Sequence, residues 1–160
     1  MKTTFVWALC FFLMTSVFPA GNKANGAQNQ KAFNKALSTY EKMHDAFFKI
    51  DLKKAKELVP DLKAQIKEIK GDAISKKLSP AKEGLDQLIK AKNVEEGHKG
   101  FHKISLSFLA LLDSELSNKV YARYYCPMVK KYWIQNVSES EKVMNPYASD
   151  TMPHCGGKME

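Results

Sequence analysis

The 160 residues carry 25 basic and 17 acidic side chains, a formal charge of +8, with 44% apolar content. That is enough chain for one domain with a core of its own. Arg123 is the lone arginine; sequence-specific nucleic-acid readers lean on arginine for bidentate contacts, so the lysine excess reads as solvated helix faces and not as a nucleic-acid surface.

Lys2 precedes an almost unbroken apolar run over residues 5–18, followed by Pro19, Ala20, Gly21 and small residues as far as Ala27. This is the layout of an export signal. Cleavage fits after Ala20 or after Gly26, and residues 1–26 are set aside as a signal peptide. The run is shorter than the roughly 20 apolar residues a spanning helix needs; an uncleaved N-terminal anchor is the lesser alternative, and no stable membrane insertion is expected after cleavage. Cys10 lies inside the run behind Leu9, unlike a lipidation site. The expected location is periplasmic or secreted.

Apolar residues then recur in steps of three and four. Phe33, Ala36, Leu37, Tyr40, Met43, Phe47 and Phe48 form one helical stripe. Asp51 can cap a second helix bearing Leu52, Ala55, Leu58, Val59, Leu62, Ile66 and Ile69, kinked or restarted at Pro60 and closed by Gly71. Ile74, Leu78, Ala81, Leu85, Leu88 and Ile89 form a third stripe, with Ser79-Pro80 as an internal start signal. Asn93 followed by Glu96 resembles a capping box opening a fourth, which runs through Val94, His98, Phe101, Ile104, Ser105, Phe108, Leu109, Leu112 and Leu116. Short connections between these helices predict an all-α fold, an up-and-down four-helix bundle over residues 27–119.

After Asn118 the pattern changes. Val120, Tyr121, Tyr124, Tyr125, Tyr132, Trp133, Ile134 and Val137 are β-formers without helical spacing. Residues 120–160 are therefore expected to be irregular and aromatic-rich, with room for short strands, and to pack on the bundle as part of the same domain.

This tail holds Cys126 with Met128 two residues on, and Cys155 with Met152 three residues before it and His154 adjoining. Thiolate, thioether and imidazole are soft or borderline donors that suit Cu(I), and by extension Ag(I). Two thiols in an oxidising compartment also favour a disulfide, closing a loop of about 30 residues worth roughly 3–4 kcal/mol. Both readings stand open. His98 and His102 fall four apart on one helical face, a spacing that zinc or copper can use, although Phe101 and Ile104 beside them suit a core edge better. His44, next to Met43 on the first helix, reads as structural or exposed. No nucleophile elbow, zincin helix, phosphate loop or Cys-x-x-Cys stands in the chain, so no enzymatic activity is expected.

In the order Cys126-Pro127-Met128, Trp133, Asn145-Pro146-Tyr147 and Met152-x-x-Cys155-Gly156, the tail resembles an uncharacterised bacterial exported domain family. That domain occurs alone or appended to Cus-type periplasmic adaptors of heavy-metal efflux pumps. The resemblance implies a helical bundle with a metal-binding C-terminus and a role near copper or silver handling. The carried-over positions are Cys126, Met128, Met152 and Cys155, with Trp133, Asn145, Pro146 and Tyr147 as scaffold. His154 is an added ligand candidate, and an efflux adaptor is the implied partner. Ala148-Ser149 and Pro153-His154 depart from the family's usual residues. The alternative is a disulfide-stapled protein-interaction module with no metal role.

Overall fold

A computed structural model describes residues 21–113, 116–138 and 141–159, with side chains from Gly26 onward. The apolar run of the expected signal peptide lies outside the described residues. Residues 21–26, assigned to the signal only under the later cleavage choice, begin the first helix.

The chain is mostly helical, with a small antiparallel sheet near its C-terminus. Its helices are α1 (Gly21–Phe48), α2 (Leu52–Glu57), α3 (Val59–Glu68), α4 (Asp72–Lys90) and α5 (Val94–Leu112). Among the described residues no helix is long and apolar enough to cross a membrane.

The boundaries follow from local chemistry. At the end of α1 the Asp51 N–H returns to the Ala46 carbonyl and the Ile50 N–H to Phe47, with Ile50 in the left-handed region at φ 59°. That is a Schellman ending with isoleucine where glycine is usual. Asp51 then caps α2, its carboxylate accepting the Lys54 N–H at 2.8 Å. The break expected at Pro60 falls at Leu58, which leaves proline in the first turn of α3, where its missing N–H has no partner to lose. Ser79-Pro80 does not start a helix: α4 begins at Asp72 and runs through Pro80. Asn93 caps α5, accepting the Glu96 N–H at 2.9 Å, while the Glu96 carboxylate accepts from Lys92 one residue before the cap.

The stripes read from the sequence form the core. Phe33, Leu37, Tyr40, Met43 and Phe47 of α1 are fully buried, as are Phe101, Ile104 and Phe108 of α5. Their rings interlock: Phe33 meets Phe108 edge-on at 5.4 Å, Tyr40 stacks on Phe101 at 5.1 Å, and Phe47 lies 4.8 Å from Phe101. Each such aromatic contributes about 1.5–3 kcal/mol by leaving water.

The tail is more regular than its sequence suggests. β1 (Tyr121–Cys126) pairs antiparallel with β2 (Lys131–Asn136), with Tyr124 opposite Trp133 and Cys126 opposite Lys131. β3 (Gly157–Lys158) adds to the other side of β1, giving the order β2-β1-β3. Trp133, fully buried, stacks on Tyr124 at 5.6 Å. The β2 edge is not left open: the Ile134 N–H reaches Tyr40 Oη at 3.3 Å, and the Tyr132 N–H approaches His102 Nε2 at 3.4 Å. Helix side chains thus occupy groups that would otherwise recruit another strand.

Candidate functional site

Cys126 ends β1 because Pro127 cannot continue the ladder, and Cys155 arrives from the far side of the loop that precedes β3. Their sulfurs stand 2.7 Å apart, across 29 positions of sequence. Both are free thiols; Cys126 is fully buried and Cys155 partly exposed.

Asn145 organises this meeting. It is wholly buried, and its backbone N–H donates to the Pro153 carbonyl at 2.8 Å. Its side-chain oxygen accepts the Tyr147 N–H at 2.9 Å, an Asx turn of the kind Asn-Pro favours. Its amide nitrogen donates to the Cys155 carbonyl at 2.9 Å and also contacts the Cys126 sulfur. One side chain therefore touches both cysteines. Gln135 of β2 clamps the approach, donating to the Lys142 carbonyl and accepting the Met144 N–H, while His44 Nε2 lies 2.9 Å from the Met144 carbonyl.

The thiols share a proton unequally. Burial disfavours a Cys126 thiolate, but the Cys155 S–H, the Val129 and Met128 N–H groups and the Asn145 amide together outweigh it, holding Cys126 below the usual thiol range. Cys155 is pushed up, chiefly by donating to Cys126. The two titrate as one unit, with the first proton released more readily than the second.

The remaining candidates are placed less uniformly. Met128 directs its backbone N–H at both sulfurs while its side chain is 68% exposed, so its thioether stands mostly in solvent. Met152 is partly buried one turn before Cys155, its carbonyl accepting the Cys155 N–H at 3.0 Å. His154 is exposed, with Nδ1 2.7 Å from the Val143 carbonyl. A donating Nδ1 leaves the lone pair on Nε2, the arrangement metal-bound histidines use. Among the described residues, no group of three or more His, Cys, Asp and Glu side chains is gathered as for a metal ion.

His98 and His102 flank the Tyr147 ring, at 5.5 and 5.9 Å. His98 bonds the Pro146 carbonyl, and its buried Nε2 has no partner among the described residues. Both rings support the Asn145-Pro146-Tyr147 turn, and no carboxylate joins them to complete a ligand set among the described residues.

Beneath the turn lies a buried hydroxyl relay that periodicity alone does not reveal. Tyr40 Oη and Ser105 Oγ are 2.7 Å apart, and Ser105 Oγ and Tyr147 Oη 3.1 Å. Tyr147 donates to the Tyr132 carbonyl at 3.1 Å. The Ile134 N–H donates to Tyr40 and Ser105 Oγ also donates to the Phe101 carbonyl at 3.1 Å, so the hydroxyls link β2 through α1 and α5 back to β2. The signal for it was Ser105 within an apolar stripe.

Comparison of the chain with family models, with curated proteins and with solved structures returns no match.

Proposed function

We propose that the protein is an exported, periplasmic or secreted carrier of a soft metal ion, Cu(I) first and Ag(I) next, with no catalytic role. The observation carrying this reading is the contact of the Cys126 and Cys155 thiols at 2.7 Å. Both cysteines that follow the expected signal peptide meet at one point, in a setting that favours one thiolate. Their sulfurs would be the principal ligands, Met152 and His154 the auxiliary ones from the same loop, and Met128 a ligand only after its side chain turns inward. The ion would supply the cohesion that two soft thiolates give a soft cation, and a partner would take it by ligand exchange. The resemblance to the domain appended to heavy-metal efflux adaptors points to such an adaptor. In this reading α2 and α3 form one interrupted helix, and the helices make an up-and-down four-helix bundle that carries the tail.

The 2.7 Å contact also favours a second reading, a Cys126–Cys155 disulfide in a protein-interaction module. Two thiolates on one tetrahedral ion at about 2.3 Å each stand roughly 3.7 Å apart, so metal binding requires the loop to open slightly. Titration of reduced protein with Cu(I) against a competing chelator separates the two readings. Stoichiometric binding that disappears in Cys126→Ser with Cys155→Ser is the expected result. Binding that survives both substitutions, or is absent from reduced wild-type protein, removes the metal reading.

A further inference from the structure

The two sulfurs meet the rest of the protein from opposite sides. Cys126 is fully buried, and its sulfur is surrounded by donors: the Val129 and Met128 N–H groups and the Asn145 amide. Cys155 is partly exposed in the loop ahead of Gly156. A thiolate attacks a disulfide sulfur along the axis of the bond it breaks, opposite the sulfur that leaves. On Cys155 that approach comes from the exposed loop; on Cys126 it would have to come through the packed side of the hairpin.

We propose that Cys126 and Cys155 form a thiol–disulfide exchange site of fixed polarity, with Cys155 the sulfur that bonds to the partner and Cys126 the one that leaves. The partner is a dithiol donor. Its first thiolate attacks Cys155 Sγ of the oxidised protein, forming a mixed disulfide as the Cys126–Cys155 bond breaks. The electron pair departs on Cys126 Sγ, which settles among its three N–H donors. The donor's second thiolate then attacks the donor sulfur of the mixed disulfide and releases Cys155, which takes up a proton. The donor becomes a disulfide, and the protein gains two electrons and two protons, the second taken from solvent by Cys126 Sγ. The product is the dithiol described above, with Cys155 donating its S–H to Cys126. Asn145 is the positioning residue of this site, since it contacts the leaving sulfur and holds the backbone of the attacked one.

This inference does not depend on the metal reading, and its assays contain no metal, so either can fail alone. Full-length Cys126→Ser and Cys155→Ser proteins are incubated with glutathione disulfide, and adduct formation is followed by mass spectrometry. The adduct on Cys155 should form about tenfold faster than that on Cys126, because access sets the rate. Equal or reversed rates overturn the polarity. Should either serine variant fail to fold, brief alkylation of reduced wild-type protein with peptide mapping asks the same question, and labelling of Cys126 first has the same force. Asn145→Asp keeps the volume and removes the donor. It should slow reduction of the oxidised protein by dithiothreitol several-fold and shift its midpoint potential, with an unchanged far-ultraviolet dichroism spectrum. An unchanged rate and potential remove Asn145 from the role.

Discussion

Gly84 of α4 and Gly100 of α5 face each other where these two helices cross, each backbone close against the other. A Cβ built on Gly100 would fall 2.5 Å from the Gly84 carbonyl oxygen, and one on Gly84 would press on the Gly100 carbonyl oxygen in the same way. Both obstacles are backbone, which has no rotamer to turn aside. Gly100→Ala should therefore cost about 2–3 kcal/mol, overriding the roughly 1 kcal/mol a helix normally gains from alanine. Urea denaturation measures it; Gly157→Ala, with nothing within 4 Å of its Cβ, should be near neutral.

The helices were legible because burial on a helix repeats locally. Phe33, Leu37, Tyr40 and Phe47 declare one face within 15 residues, and all four are fully buried. Pro80 misled because proline is read as a start signal, while an exposed interior position loses one hydrogen bond without breaking the helix. The β-formers of the tail were visible, but their register was not: Tyr124 opposite Trp133 depends on a turn whose last residue, Lys130, sits at φ 53°. Residue type marked Cys126, Cys155 and Met128 alike. It could not say that two of them meet and that the third turns its side chain to solvent, since Asn145 and Gly156 decide that over long range.

Ile50 occupies the left-handed position of a Schellman ending at φ 59° and is 49% exposed. A left-handed conformation costs an L-residue roughly 1–2 kcal/mol, more than the backbone entropy that glycine forfeits. Ile50→Gly should raise stability by about 0.5–1 kcal/mol, read as a higher urea midpoint with unchanged slope. A loss would show that the Ile50 side chain contributes more than its exposure suggests.

The hydroxyl relay should behave as a unit. Tyr40→Phe removes the acceptor of the buried Ile134 N–H, and Tyr147→Phe the donor to the Tyr132 carbonyl. Each should cost about 1–3 kcal/mol, the penalty for a buried group left without its partner. In a double-mutant cycle, Tyr40→Phe with Ser105→Ala should be less damaging than the sum by about 1 kcal/mol, since the two share one bond. Strict additivity would mean that the hydroxyls act separately.

His98 and His102 both titrate below their ordinary value of 6.5, because burial disfavours the charged ring and Lys131 repels it. In the folded protein the rings therefore stay neutral to lower pH than in the unfolded chain. Below pH 6.5 the unfolded state takes up protons that the folded state refuses. Stability is thus full above that pH and declines as pH falls towards the folded values, by at most about 1.4 kcal/mol per pH unit for each histidine. Urea midpoints on either side of 6.5 should show the decline, and His98→Gln with His102→Gln should flatten it.

Gly156 brings the chain next to Cys155 close against β1. Its φ of +141° is one that L side chains rarely adopt, and a Cβ there would lie 2.6 Å from Trp133 Cη2 and 3.2 Å from the Tyr125 carbonyl oxygen. The indole cannot yield, being fully buried and stacked on Tyr124. Alanine at this position must therefore lift the chain off β1, and the residue lifted with it is Cys155. Gly156→Ala should slow oxidation of the thiol pair by glutathione disulfide about tenfold, which at 1.4 kcal/mol per decade is a modest strain for so close a contact. It should weaken Cu(I) binding in the same direction. Bridge formation at the wild-type rate would show that the loop finds Cys126 by another route, with Asn145 alone holding the sulfurs together.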